Sequence, residues 1–177
     1  MVRMVNNERL EWQQAQKAIA KLLRINGFEV WEERKVEGKR IDVLSKRIIN
    51  NKTYYLVFEV KHYKNVRPST ETKFEDQLIS YLEALIRREL NNKSIKTLLE
   101  KYVFIGYLVM TKDYMLLKNR KINYHKPRNP FQHPEIKKLW RRNVYLLYST
   151  PEYIRKNLEK IGLRSYKQTH LIDFLND

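Results

Sequence analysis

Along residues 6–25 the apolar side chains fall at Leu10, Trp12, Ala15, Ile19, Ala20, Leu22 and Leu23. This is the broad stripe of a helix with one face against a core. Asn6 or Asn7 supplies a cap, and Asn26-Gly27 a left-handed end. The period then shortens to two: residues 28–34 alternate as a first strand, and 40–49 and 53–61 read as a hairpin closed at Asn50-Asn51. A second amphipathic helix spans 72–90, with Phe74, Leu78, Ile79, Leu82, Leu85 and Ile86 at helical spacing. Residues 94–101 make a short helical connector, and 102–110 form an unbroken apolar run, as expected of a strand buried on both faces. Residues 143–148 form another strand. Thr150 and Pro151 start a helix to Gly162, and 170–175 a short last helix.

Two of these strands carry acid where burial should forbid it. Asp42 stands among Ile41, Val43 and Leu44, and Glu59 between Phe58 and Val60. Alternation puts Val57, Glu59 and Lys61 on one face of their strand and Phe58 and Val60 on the other. A carboxylate so placed costs desolvation energy unless a metal ion or an ammonium group answers it. An ordinary strand pair with a Glu59–Lys61 salt bridge satisfies the same pattern.

Length and charge narrow the class. The chain has 177 residues, enough for one domain (1–177) with one substantial core. With 36 Lys and Arg against 20 Asp and Glu, the net charge is +16, which calls for a polyanionic partner, nucleic acid before membrane surface. No apolar run approaches the ~20 residues of a spanning helix and the N-terminus lacks a signal-peptide core, so a cytoplasmic protein with no membrane partner is expected. Cysteine is absent, excluding disulfides, thiolate zinc sites and iron–sulfur clusters. Residues 111–142 hold ten Lys or Arg against Asp113 and Glu135, interleaved with Tyr114, Tyr124, His125, Phe131, His133 and Trp140 and broken by three prolines. Such a basic insertion reads as a flap, its cations on phosphates and its rings on bases; a packed peripheral element with a solvated basic face is the other reading. His125 and His133 lack metal-ligand spacing and read as loop residues.

Asp42 followed by Glu59-Val60-Lys61 on a hairpin resembles the motif of the PD-(D/E)XK nucleases, the restriction-endonuclease-like superfamily. Ile41 stands where that family has proline. The resemblance implies an α/β fold with a mixed central sheet flanked by helices, and hydrolysis of a DNA phosphodiester with Mg²⁺ or Mn²⁺. It implies that Asp42, Glu59 and the Val60 carbonyl ligate the metal and that Lys61 activates the attacking water. On the first helix, the position similar to the glutamate of archaeal Holliday-junction resolvases is Gln16, which has a carbonyl oxygen but no charge. Glu8 and Glu11 could substitute only in another helix register, and a polar residue at the edge of a core stripe is the plain alternative for Gln16. Gln77 and Tyr81 resemble the Q-x-x-x-Y pair of RecB-like nucleases, which holds the substrate strand and supports the site; half-exposed helix residues would look the same. Arg40 beside the aspartate, and Lys64 and Arg67 in the basic loop after Lys61, are the expected phosphate contacts, although a merely solvated loop fits that stretch equally. The implied substrate is duplex, single-stranded or branched DNA, cut by an exonuclease or a structure-specific endonuclease. Resolvase-like members imply a homodimer. The competing class is a nucleic-acid-binding protein without catalysis, which Gln16 favours.

Overall fold

The computed structural model describes residues 2–62, 68–110, 129–149 and 154. Helix α1 (Val2–Ile25) leads into strands β1 (Glu29–Val36), β2 (Lys39–Ile49) and β3 (Lys52–Lys61). Helices α2 (Pro68–Leu90) and α3 (Ile95–Lys101), strand β4 (Tyr102–Met110), helix α4 (Pro134–Asn143) and strand β5 (Val144–Ser149) follow. The sheet runs β1-β2-β3-β4-β5, antiparallel through β3 and parallel from β3 to β5. The fold is therefore α/β, a five-stranded mixed sheet flanked by helices, with the described elements in the order that the hydrophobic pattern predicts. Among the described residues no helix is long and apolar enough to cross a membrane.

Local chemistry sets the punctuation. Helix α1 ends with Phe28 N–H donating to the Leu23 carbonyl (3.0 Å) and Gly27 N–H to Arg24 (3.1 Å), with Gly27 at φ +80°, a left-handed cap that glycine adopts without steric cost. Asn50 and Asn51 both take positive φ, 50° and 62°, which matches the tight hairpin turn to the right-handed twist of β2 and β3. Glu37-Gly38 does the same between β1 and β2, a turn that the sequence pattern left unassigned.

Two apolar layers sandwich the sheet. On one face Leu44, Tyr55, Val57, Phe104 and Leu108 meet Leu78, Leu82 and Leu85 of α2, Leu98 of α3 and Trp140 of α4. On the other, Val43, Leu56, Phe58, Val60 and Tyr107 meet Ile19 and Leu23 of α1, with Ile154 added. Every residue of β4 is buried, as a continuous apolar run between helical layers requires. Close approach of α2 depends on Gly106: a Cβ there would meet Leu82 Cδ1 at 2.8 Å, Leu78 Cγ at 3.1 Å and Leu146 Cδ2 at 3.2 Å. Gly106→Ala is therefore expected to cost about 1–3 kcal/mol in urea unfolding. An unchanged midpoint would show that Leu82 simply rotates away.

The basic insertion departs from its expected character where it is described. Phe131 and Trp140 are 2 % and 1 % exposed, joined edge to face at 5.8 Å and set in the α2-side core. They cannot stack on bases. The physical reason lies in α4, whose Leu139 and Trp140 share one apolar face that closes the sheet over β4 and β5. His133, expected in a loop, caps α4 by accepting from the Glu135 N–H at 3.3 Å. The Asn143 side chain then donates to the carbonyls of Leu98, Leu99 and Tyr102 at 2.8–3.2 Å, fastening the end of α4 to the end of α3. Residues 111–128, with Tyr114, Tyr124 and His125, lie outside the described residues, as do the helices expected beyond Thr150, Ile154 apart.

Candidate active site

The β2–β3 register pairs Leu44 with Val57 and Val43 with Phe58, and its next step sets Asp42 opposite Glu59. Leu44 and Val57 face α2, so Asp42 and Glu59, each two residues further along its strand, face α2 as well. Both carboxylates thus lie on one side of the sheet, at the end where the backbone ladder gives way. There Asp42 Oδ2 accepts from the Val60 N–H at 2.9 Å, replacing a strand hydrogen bond with a side-chain one. Val60 turns its own side chain to the opposite, α1-side layer.

Lys61 answers the charge. Its Nζ lies 2.7 Å from Glu59 Oε1, donates to Gln77 Oε1 at 3.0 Å, and sits 4.7 Å over the Phe74 ring. Gln77 Nε2 in turn donates to the Tyr81 hydroxyl at 2.6 Å, and that hydroxyl faces back onto Glu59. Glu59, Lys61, Gln77 and Tyr81 thus form a polar chain bridging β3 and α2. Tyr81 is 5 % exposed, so of the two roles implied for this pair, supporting the lysine is the one the geometry serves.

Burial governs the acids. Removal from water pushes Asp42 above its ordinary range, and the Val60 N–H, the Lys61 charge and the Glu59 carboxyl oppose that push. For Glu59, burial and then the charge of Asp42 outweigh Lys61 and raise the pKa to about 7. The pair therefore keeps one proton to near neutrality. Between pH 4.5 and about 7 the folded state holds a proton that the unfolded chain releases, so Glu59 stabilises the fold at low pH and that contribution is lost as pH rises through the window. The loss is on the order of 3 kcal/mol. In EDTA, Tm of the wild type should fall relative to Glu59→Gln across this range, and parallel curves would refute the coupling.

Other expected residues sort themselves by position. Arg40 forms an ion pair with Glu33 at 2.6 Å while remaining 60 % exposed, so its outer face is open to a phosphate. Lys64 and Arg67 lie outside the described residues, as do the side chains of Glu8 and Glu11. Gln16 belongs to the α1 layer and is buried, and no described polar contact joins it to Asp42 or Glu59. Its Oε1 has no hydrogen-bond partner, the usual cost of which is about 1–3 kcal/mol. One turn earlier on the same helix face, Trp12 donates its indole N–H to the Val60 carbonyl at 2.9 Å.

Two contributors escaped the sequence reading. Trp12 looked like core, although its i, i+4 relation to Gln16 marks a polar atom on the same stripe. Glu33, the register partner position of Asp42 in β1, takes a left-handed φ of 54°, and its charge adds to the upward push on Asp42. Nothing in the sequence announces that kink.

The donors suit a hard divalent cation. Glu59 Oε2 is buried without a hydrogen-bond partner, and Asp42 brings a second carboxylate to the same face. The Val60 carbonyl is engaged by Trp12 through one lone pair and has another. Among the described residues no group of three or more His, Cys, Asp and Glu assembles; one or two carboxylates with waters is the donor set that Mg²⁺ takes. No protein-family model, curated protein or solved structure matches the chain.

Proposed function

We propose that this chain is a metal-dependent DNA nuclease of the PD-(D/E)XK type, on a restriction-endonuclease-like version of its α/β fold. The observation that carries the reading is the meeting of a buried carboxylate, Glu59, and a half-buried one, Asp42, from adjacent strands on one sheet face, with an amine 2.7 Å from Glu59. An acid pair so placed is expensive to keep for structure alone. Perturbed carboxylates beside a positioned lysine are what phosphodiester hydrolysis needs.

Mg²⁺ or Mn²⁺, held by Asp42 and Glu59 with the Val60 carbonyl, would supply charge neutralisation at the phosphate. The protein's own part is positioning. Gln77 and Phe74 restrict the Lys61 ammonium to one place, where it orients the attacking water and offsets developing negative charge. Tyr81 steadies Gln77 and Glu59 from behind. Arg40 and the net charge of +16 hold the polyanion near by.

The second reading is a DNA-binding protein without catalysis. Gln16 favours it, since a neutral amide on α1 brings no charge toward a cation. Incubation of duplex, single-stranded, flapped and four-way-junction DNA with Mg²⁺, Mn²⁺ or EDTA separates the two. Cation-dependent product on any substrate supports the nuclease. Binding with steep salt dependence and no product with either metal would leave the binding protein.

A further inference from the structure

A cavity separate from the carboxylate site opens on the same face of the sheet as Asp42 and Glu59. It measures about 360 Å³ and lies between β1–β2–β3 and the C-terminal end of α2, lined by Trp31, Arg34, Lys46, Tyr55, Arg88 and Glu89 among others. That volume is at the small end of the ~300–1,000 Å³ usual for ligand sites, room for one small molecule or one unit of a polymer. Lys46 is four residues along β2 from Asp42, and Tyr55 four residues along β3 from Glu59. At ~3.3 Å per residue, each lies roughly 13 Å from its carboxylate along the sheet.

The charges around the cavity are asymmetric in how they are satisfied. Glu89 is 94 % buried by its 6 % exposure, and its oxygens are taken: Oε1 accepts from the Tyr55 hydroxyl at 2.6 Å and Oε2 from Lys93 at 2.7 Å. Burial pushes this acid up, but the hydrogen bonds from Lys93 and Tyr55 and the charges of Lys93 and Arg88 win and hold it below its ordinary value. It has little left to offer a cation. Arg34 and Lys46 have no acid within ion-pair distance among the described residues; they rest on rings, Arg34 5.1 Å over Trp31 and Lys46 5.6 Å over Tyr55. Glu29, exposed at the start of β1, stands opposite Lys46 in the strand register without closing an ion pair. Arg88, 3.7 Å from Glu89, adds a third cation to the lining.

Cations resting on ring faces beside a concave space suit a ligand that is at once anionic and flat. We propose that this cleft binds one nucleotide unit, with phosphate on Lys46, Arg34 and Arg88 and the base against Trp31. A nucleotide free in solution and one within a strand present the same chemistry. That the unit belongs to the strand being cut rests on the nuclease reading; binding itself does not.

The test is calorimetric titration in EDTA of thymidine 5′-monophosphate, thymidine, inorganic phosphate and a short oligothymidylate, with no cleavage involved. The expected result is saturable binding of the nucleotide, tighter than phosphate or thymidine alone. The double variant Arg34→Gln/Lys46→Gln should weaken it at least about tenfold, the effect of removing charge-assisted contacts. Both side chains leave the apolar layers intact, so Tm should hold, and Trp31→Leu should bring the nucleotide down to the affinity of phosphate. Asp42→Asn should bind the nucleotide as the wild type does, which separates this cleft from the carboxylate site. Oligothymidylate binding that falls in step with the mononucleotide assigns the unit to a strand; an unaffected oligonucleotide assigns the cleft to free nucleotide. Absence of saturable nucleotide binding, or equal binding by the double variant, would overturn the proposal even if the protein cuts DNA.

Discussion

Asp42→Asn is expected to lower divalent-dependent DNA cleavage by at least about a hundredfold, the loss usual when one preorganised electrostatic contributor is removed. The substitution is close to isosteric, and the amide oxygen can still accept from the Val60 N–H, which Asp42 Oδ2 meets at 2.9 Å. What disappears is the negative charge. Loss of that charge also relieves Glu59, whose pKa of about 7 owes its second-largest increment to Asp42. Stability should therefore stay level or rise while activity collapses. A purely structural role for Asp42 predicts the reverse, a less stable protein with its cleavage intact. Lys61→Met gives the complementary loss, because it removes the amine that lies 2.7 Å from Glu59 and 4.7 Å over the Phe74 ring while keeping an apolar chain of similar length. Here the remaining buried carboxylate has lost its cation, and about 3–5 kcal/mol of destabilisation is the upper bound, reduced by proton uptake at Glu59 below pH 7. Persistence of cleavage in both variants at wild-type rate would overturn the assignment of the chemistry to Asp42 and Lys61. Gel assays of product formation with Mg²⁺ and with Mn²⁺, paired with Tm, read both quantities.

Trp140→Ala is expected to cost about 3–5 kcal/mol of folding stability, a large share of the ~5–15 kcal/mol available to a typical domain. The ring is 1 % exposed and meets Phe131 edge to face at 5.8 Å. It also belongs to the core layer that contains Leu82, Leu98, Phe104 and Leu146. Truncation opens a cavity in that layer, where β4, buried along its whole length, leaves little slack for collapse. Urea unfolding followed by circular dichroism measures the loss. Were the residue instead part of a flap on nucleic acid, the midpoint would hold and DNA affinity would fall. Trp140→Phe, which preserves most of the volume, should recover much of the stability.

Much of the fold is legible in the sequence because periodicity and punctuation are local. The stripe of α1, the alternation of β2 and β3, the Asn50-Asn51 turn and the continuous apolar β4 each follow from spacing of a few residues. The hairpin also carried half of the site. Once its turn is placed, register alone sets Asp42 opposite Glu59 on one face. Gln77 and Tyr81 were recognisable as a pair for the same reason, four residues apart on one helix.

Long-range packing was another matter. Composition made the chain near Trp140 look like a nucleic-acid flap, because Lys137, Lys138, Arg141 and Arg142 surround it. Whether an amphipathic helix spends its apolar face on a core or on a ligand depends on what lies beneath, and that surface is assembled by β4 and β5. Likewise the Trp12 bond to Val60 joins atoms of residues 48 apart in the chain. No spacing rule reaches that far.

The amino-acid sequence by itself determined the order of helices and strands, the strongly basic surface, the absence of thiolate chemistry, and the facing of Asp42, Glu59 and Lys61 toward a common side. The tertiary structure decided which partners those groups meet: Gln77 and Phe74 for Lys61, and the Val60 N–H for Asp42. The physical reason is range. Backbone propensity and side-chain alternation act over a few residues, whereas burial, and with it the pKa of about 7 at Glu59, exists only when separate elements close over one another and exclude water.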